Sequence, residues 1–195
     1  RHGVHLRANG DLHATNSTGP GWANPATQSF EDDQRVQGRD NRRYGPLPEE
    51  WGKFRGLHRY QDKVILSYTV GDTAILEYPN SLETPGVTTF VRTLNIGPRA
   101  TNLDMSVMEL PNDATLEVEA GIATIKHNEN MLLVAAPGFQ QASQFRLQGN
   151  RLVLTFNKGE QTLEGSIWFT DSSVDQDAMA DINTQLAELE TNLDF

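Results

Sequence analysis

The chain has 195 residues, 37% hydrophobic and 22% charged, a balance that excludes wholesale disorder and is typical of one folded domain. The absence of cysteine excludes disulfides, thiol catalysis, Cys-ligated zinc and covalently attached c-type haem within this chain. The net charge of −10 disfavours nucleic-acid binding, because an acidic body repels phosphate, and no apolar run approaches the ~20 residues of a membrane helix.

The charge is unevenly spread along the chain. Residues 1–60 hold nine basic and seven acidic residues (net +2), whereas residues 61–195 hold seven basic and nineteen acidic residues (net −12). The chain starts at Arg1 and shows no secretory leader. We therefore expect a single domain over residues 1–195 that is a processed or truncated piece of a longer chain.

The first zone, residues 1–53, is rich in Gly, Asn, Asp and Pro and has no sustained period. It predicts irregular loops with one or two short strands. Its arginines alternate with acids, which favours a solvated loop over an anion site. Two features resemble metal ligands without matching a motif: His2 with His5 and His13, and the acidic run Glu31–Asp33. We interpret them as surface groups and predict no metal site.

The second zone, residues 54–170, alternates with period two and predicts a sheet core. Val64, Leu66, Tyr68 and Val70 alternate with Lys63, Ser67 and Thr69, and similar runs follow to Phe169. Turn signals at regular spacing separate about ten strands, and the pairs Gly71-Asp72 and Gly149-Asn150 suit two-residue hairpins. This pattern predicts a mainly β protein, an antiparallel sandwich or barrel-like sheet. The continuous run 131–134 suggests a strand buried on both faces.

The third zone predicts one amphipathic helix over residues 173–193. Ser173 and Gln176 form a capping box, and an apolar stripe recurs at helical spacing: Ala178, Met179, Ile182, Leu186, Leu189 and Leu193. Packing on the sheet is the ordinary interpretation, and docking of a partner is the alternative.

Aromatic residues supply the candidate binding residues. Trp22 and Trp51 lie in Gly- and Pro-rich turns, where an exposed indole could stack on a sugar or anchor a partner. A buried indole would instead hold residues 1–50 on the sheet, and this interpretation is favoured because the zone has little other apolar surface. Tyr44 and Arg55, from the adjoining motifs, complete the set.

No complete catalytic motif is present. The sequence has no GxSxG, HExxH or phosphate-binding Gly loop, and pattern alone cannot select a facing carboxylate pair among twenty-six acids. The chain by itself is therefore not expected to be an enzyme.

Several motifs occur together in a fixed order: Gly19-Pro20-Gly21-Trp22-Ala23, Gly45-Pro46-Leu47-Pro48 with Trp51, Phe54-Arg55-Gly56-Leu57, and the run Val64–Thr73. Over residues 17–97 the chain resembles a domain of unknown function from large secreted planctomycete and verrucomicrobial proteins. There the domain often precedes a β-propeller and c-type cytochrome modules. The resemblance implies an extracytoplasmic location, periplasmic or secreted, and supplies no catalytic residues.

These observations together favour a non-catalytic binding or scaffold module of a multidomain protein. The resemblance implies that the parent is a cytochrome-containing dehydrogenase or a polysaccharide-processing system. The alternative is a carbohydrate-binding or carbohydrate-active domain using carboxylates and Trp in a cleft. We expect no cofactor in this chain, with haem confined to a separate domain or partner. The expected partners are other domains or fragments of the parent protein, a second copy, or a polysaccharide.

Overall fold

The computed structural model describes residues 19–61, 63–84, 87–119, 121–128, 130–139, 141–171 and 184. The strands assigned among these residues pair antiparallel throughout, so the predicted mainly β, antiparallel class is confirmed. In chain order they are β1 (Val36–Gln37), β2 (Arg43–Tyr44), β3 (Gly52–Tyr60), β4 (Lys63–Val70), β5 (Thr73–Thr84), β6 (Val87–Ile96), β7 (Leu103–Glu109), β8 (Thr115–Glu119), β9 (Ile122–His127), β10 (Asn130–Ala135), β11 (Ser143–Gln148), β12 (Arg151–Phe156) and β13 (Leu163–Asp171).

A large sheet contains eight strands in the order β3-β4-β5-β6-β13-β10-β9-β8. Its first four strands follow one another along the chain, and so do β8, β9 and β10. Strand β13 inserts between these two groups and pairs with β6 on one side and β10 on the other. The strand furthest along the described sequence therefore occupies the middle of the sheet.

Short loops set the register of several hairpins. Val70 pairs with Thr73 across Gly71-Asp72, and Gln148 pairs with Arg151 across Gly149-Asn150. Gly71 has a φ of 56° and Gly149 a φ of 60°, a left-handed conformation that glycine adopts without strain. Both predicted two-residue hairpins are confirmed.

A small sheet, β11-β12-β7, packs on one face of the large sheet. Their shared core draws apolar side chains from both layers, as in a β-sandwich. It includes Leu94, Ile96, Val134 and Ile167 from the large sheet and Leu103, Met105, Leu152, Leu154 and Phe156 from the small one.

Strand β10 is apolar on both of its faces. Leu132 and Val134 contact the core between the sheets, whereas Leu133 packs with Val91 and Trp168 on the opposite face. The continuous apolar run at residues 131–134 was predicted to be buried on both sides, and these contacts confirm it.

Residues 21–23, within the first zone, extend the small sheet. The Ala23 amide donates to the Asp104 carbonyl (2.9 Å) and the Ser106 amide donates to the Gly21 carbonyl (2.9 Å), so this segment pairs with the outer edge of β7. The zone also contains the short pair β1 and β2, in agreement with the one or two short strands predicted there. The loops are thus held by backbone pairing as well as by side chains.

The helix predicted over residues 173–193 lies, apart from Thr184, outside the described residues. No helix among the residues that the structure describes has the length and apolarity of a bilayer span.

Candidate functional site

Both predicted tryptophans are buried. Trp22 is 8% exposed and packs its ring against Phe156, with a centroid separation of 5.8 Å, and Trp51 is 2% exposed. The Trp51 Nε1–H donates to the Trp22 backbone carbonyl (3.0 Å), which ties the Trp51 indole to the main chain of the first zone. The predicted burial of Trp22 and Trp51 is confirmed, and their role in holding the first zone on the sheets stays a prediction. Neither ring presents a face on which a ligand could stack.

Beside Trp22 lies a polar cluster that sequence reasoning did not find. The Trp22 Nε1–H donates to the Tyr68 hydroxyl (3.2 Å), which donates to Glu77 Oε2 (2.8 Å). Arg92 holds both oxygens of Glu77, with Nε 2.7 Å from Oε1 and Nη2 3.1 Å from Oε2. The Arg92 guanidinium also reaches the Met105 sulfur at 3.6 Å, so the cluster spans the two sheets.

Each pKa shift in this cluster moves the pKa of the group further from 7. Burial would raise the pKa of Glu77, but the charge of Arg92 and hydrogen bonds from Arg92 and Tyr68 outweigh it, so the pKa is lowered. Burial and the Glu77 charge raise the pKa of the Tyr68 phenol. Burial would lower the pKa of Arg92, but Glu77 raises it. Efficient acid–base catalysis needs a pKa near the working pH, so these groups suit a fixed ion pair better than proton transfer.

The acidic run Glu31–Asp33 is engaged by neighbouring side chains. Asp33 is buried and accepts two hydrogen bonds from Arg35, from Nε (2.9 Å) and Nη2 (2.8 Å). Asp32 accepts hydrogen bonds from Asn24 and Thr27. Within the described part of the chain, no group of three or more His, Asp or Glu side chains is placed to hold a metal ion.

Tyr44 and Arg55 lie on strands of two different sheets. Tyr44 is exposed on β2, and its hydroxyl donates to Asp40 Oδ2 (2.7 Å). Arg55 is exposed on β3, at a bulge where the register shifts between Phe54 and Gly56. The structure thus brings Trp22 and Trp51 together in the core and leaves Tyr44 and Arg55 on the surface.

An exposed apolar area, the β3–β4 face, consists of Phe54, Leu57, Val64 and Leu66. Phe54 pairs with Tyr68 and Leu57 with Leu66 across the two strands, and Val64 lies two residues before Leu66, so all four share the face that Tyr68 presents to the core. Phe54 is 65% exposed, Leu57 60% and Val64 39%, while Leu66 is half-buried.

The width of the second layer explains this exposure. Strands lie about 4.8 Å apart, so a three-stranded sheet covers roughly 14 Å of an eight-stranded sheet that is roughly 38 Å wide. Tyr68 and Val70 on β4 still contact the shared core, whereas Phe54 and Leu57 on the outermost strand do not belong to it. The alternation of apolar residues on β4 could be predicted from the sequence, but the sequence did not indicate where the small sheet stops covering the large one.

The fold and the β3–β4 face define a β-sandwich module with an exposed apolar sheet end. A family model described as DUF6797, a domain of unknown function, matches residues 1–77, which include Trp22, Trp51, β3 and β4. No curated protein matches the chain.

Among solved structures, the chain is similar to a candidate kojibiose phosphorylase from the human microbiome. The identity is 9% and the TM-score 0.38, with 68% of this chain covered. The match spans 21% of the length of that protein, so this chain corresponds to a small part of it.

Proposed function

We propose that the chain is a non-catalytic binding module that docks a polypeptide partner on its β3–β4 face. One observation carries the proposal: Phe54 and Leu57, both large and apolar, are more than half exposed side by side on the outermost strand of the large sheet. Single exposed apolar residues are ordinary, but a contiguous group on one face marks an interaction surface.

The apolar face is backed by a rigid part of the fold. Tyr68, opposite Phe54, is fixed by hydrogen bonds to Trp22 and Glu77, and Glu77 is fixed by Arg92. A surface held in one conformation loses little entropy when a partner binds. In this proposal the buried ion pair supports the binding face rather than carrying out chemistry.

The resemblance noted for residues 17–97 extends the proposal to context. We place the module in a multidomain extracytoplasmic protein, where its partner is another domain or fragment of the parent. Any haem belongs to a separate domain or partner of a cytochrome-linked dehydrogenase. The family match over residues 1–77 supports the domain assignment that underlies this context.

A carbohydrate ligand is the second candidate. One surface feature favours it: the exposed Tyr44 ring lies beside Asp40, joined through the phenol at 2.7 Å. An aromatic ring next to a carboxylate can stack on a sugar and bind its hydroxyls. The three tryptophans give it no support, since Trp22, Trp51 and Trp168 are all buried.

Site-specific photo-crosslinking in the producing cell tests the docking proposal. A benzoylphenylalanine replaces Leu57 in one variant and Leu147, 53% exposed on β11, in a matched control. We expect the variant at position 57 to form a covalent adduct with a discrete polypeptide that the control does not form. Phe54→Ser and Val64→Ser, added together to the first variant, should reduce the adduct.

Three results bear against docking at this face. The absence of an adduct at position 57, or identical adducts at positions 57 and 147, would contradict it. The carbohydrate function would be favoured instead if the chain bound an oligosaccharide, Tyr44→Ala abolished that binding, and no adduct formed at position 57.

A further inference from the structure

We infer that the free edge of β3 binds an acidic, extended polypeptide segment, which adds to the large sheet as a further strand. The inference rests on the proposed docking function of the β3–β4 face and names the chemistry of the partner. Three observations carry it: a strand edge that no other described strand pairs, a cluster of basic residues on that strand, and apolar residues on one of its faces.

Strand β3 ends the large sheet. It pairs only with β4 among the described strands, so alternate residues direct their N–H and C=O groups away from the sheet. It is nine residues long, whereas β8 at the opposite end has five residues and carries Glu117 and Glu119. A long free edge is the geometry that an added strand requires.

The edge strand is basic in a protein of net charge −10. Lys53, Arg55, His58 and Arg59 are all on β3, which contains no acidic residue. Lys53 pairs with Glu49 at 2.6 Å, and the Arg59 Nε donates to the Gln61 carbonyl at 3.3 Å. Within the described part of the chain, neither Arg55 nor Arg59 has a carboxylate within 4 Å. The charge of Arg55 acts on the Glu49 carboxylate, and the Arg59 guanidinium is held only by a backbone carbonyl, so Arg59 is the group most open to an incoming anion.

The same charges argue against a second copy of this chain as the occupant. An antiparallel β3–β3 pair centred on Gly56 would set Lys53 of each chain opposite Arg59 of the other. Like charges directly opposite in a sheet are destabilising, while opposite charges stabilise. Charged edge residues and bulges commonly prevent self-pairing. With an acidic strand in place of the second copy, carboxylates would lie opposite these cations and stabilise the pairing.

The two faces of β3 specify the pattern of the partner. Phe54 and Leu57 share the β3–β4 face, whereas Lys53 and His58, opposite Thr69 and Ile65, lie on the other face. Residues of an added strand alternate between these faces. Its apolar side chains would cover Phe54 and Leu57, and a carboxylate on the other face would meet Lys53. Arg59 pairs with Val64 and therefore lies at the end of the β3–β4 face, where a carboxylate beyond the apolar side chains would meet it. The expected ligand is an extended segment in which apolar and acidic residues alternate.

Peptide binding to the whole chain tests the inference. The probe is a fluorescein-labelled nine-residue peptide of alternating Val and Glu, titrated by anisotropy, and its matched control has Lys in place of Glu. We expect the Lys peptide to bind about tenfold more weakly or worse, since like charges replace opposite charges at several cross-strand positions. Methylation of alternate backbone nitrogens in the Val/Glu peptide should abolish binding, because strand addition needs those donors.

Charge variants of the protein locate the contact. Arg55→Glu with Arg59→Glu should weaken binding of the Val/Glu peptide by tenfold or more, a loss similar to that expected when the Lys peptide replaces the Val/Glu peptide. The control, Arg39→Glu with Lys158→Glu, changes the net charge equally at exposed positions off β3 and should leave affinity unchanged. Hydrogen exchange should show new protection of β3 amides only with the unmethylated peptide. Matching unfolding midpoints establish that both variants are folded.

Several results would overturn strand addition. Equal binding of the Glu and Lys peptides, equal loss in both charge variants, or unchanged affinity after N-methylation each contradicts it. So does self-association of the free chain, by light scattering, that the β3 variant disperses. If position 57 formed a crosslink but the Glu and Lys peptides bound equally, docking on the apolar face would stand and the addition of an acidic strand would be refuted.

Discussion

The burial of Trp51 gives a sharp test of how residues 19–50 are held. Trp51→Ala removes an indole that is 2% exposed and also deletes the hydrogen bond to the Trp22 carbonyl. Loss of a large buried aromatic costs about 3–5 kcal/mol through lost transfer energy and a residual cavity. Domains of this kind are stable by roughly 5–15 kcal/mol, so the variant should lose a large part of its stability.

Phenylalanine substitutions separate packing from hydrogen bonding. Trp51→Phe keeps most of the ring but loses the 3.0 Å bond, at about 1 kcal/mol, plus the cost of an unpaired carbonyl. Trp168 is equally buried, and its Nε1 has no hydrogen-bond partner among the described residues. Trp168→Phe should therefore be the milder change by about 1–3 kcal/mol.

Urea unfolding followed by far-ultraviolet circular dichroism measures both comparisons, with unchanged slopes showing that the unfolded states are alike. A loss below about 1 kcal/mol for Trp51→Ala would refute the idea that Trp51 anchors the first zone. If Trp51→Phe and Trp168→Phe lost the same unfolding free energy, the hydrogen bond of Trp51 would not contribute to stability.

Two further predictions concern the ion pair and the sheet interior. Because the folded pKa of Glu77 lies below its unfolded value, its stabilising contribution is complete above about pH 4.5 and is lost as the pH falls through the folded pKa. Glu77→Gln should therefore be less stable near pH 7 and lose less stability than the parent between pH 6 and 3; parallel urea midpoints across this range would contradict it. Gly165→Ala should cost about 1–3 kcal/mol, because a Cβ there would lie 2.9 Å from the Pro137 carbonyl oxygen, whereas Gly21→Ala, with nothing within 4 Å of its Cβ, should be nearly neutral by the same measurement.

The hairpins were predictable because their determinants are local. Gly71 supplies the left-handed residue of a two-residue turn, and the alternation from Val64 to Val70 states which side chains share a face. Periodicity cannot state whether another layer covers that face. The cover depends on β12 pairing with β7, through contacts between residues about fifty positions apart, such as Thr155 and Asp104. The exposure of Phe54 and Leu57 could not follow from their own sequence for this reason.

The Glu77–Arg92 pair had a local signal that went unused. In the register of β5 on β6, Thr84 pairs with Val87, and Glu77 lies opposite Leu94 and diagonal to Arg92. Opposite charges at diagonal positions of a predicted hairpin are a searchable pattern. The contact of Arg92 with Met105 is different, because it joins the two layers. Tyr44 and Arg55 were predicted from neighbouring motifs, and they lie on strands of two different sheets.

The position of β13 has a consequence for synthesis of the chain. As the ribosome releases the polypeptide, β3–β6 and β8–β10 are complete before Leu163 emerges, yet each group then has an unpaired inner edge, on β6 and on β10. Thr93 on β6 meets its hydroxyl partner, Ser166 at 3.0 Å, only when β13 arrives. We expect nascent chains stalled before residue 163 to stay sensitive to protease, and protection to appear in one step once residues 163–171 have left the exit tunnel.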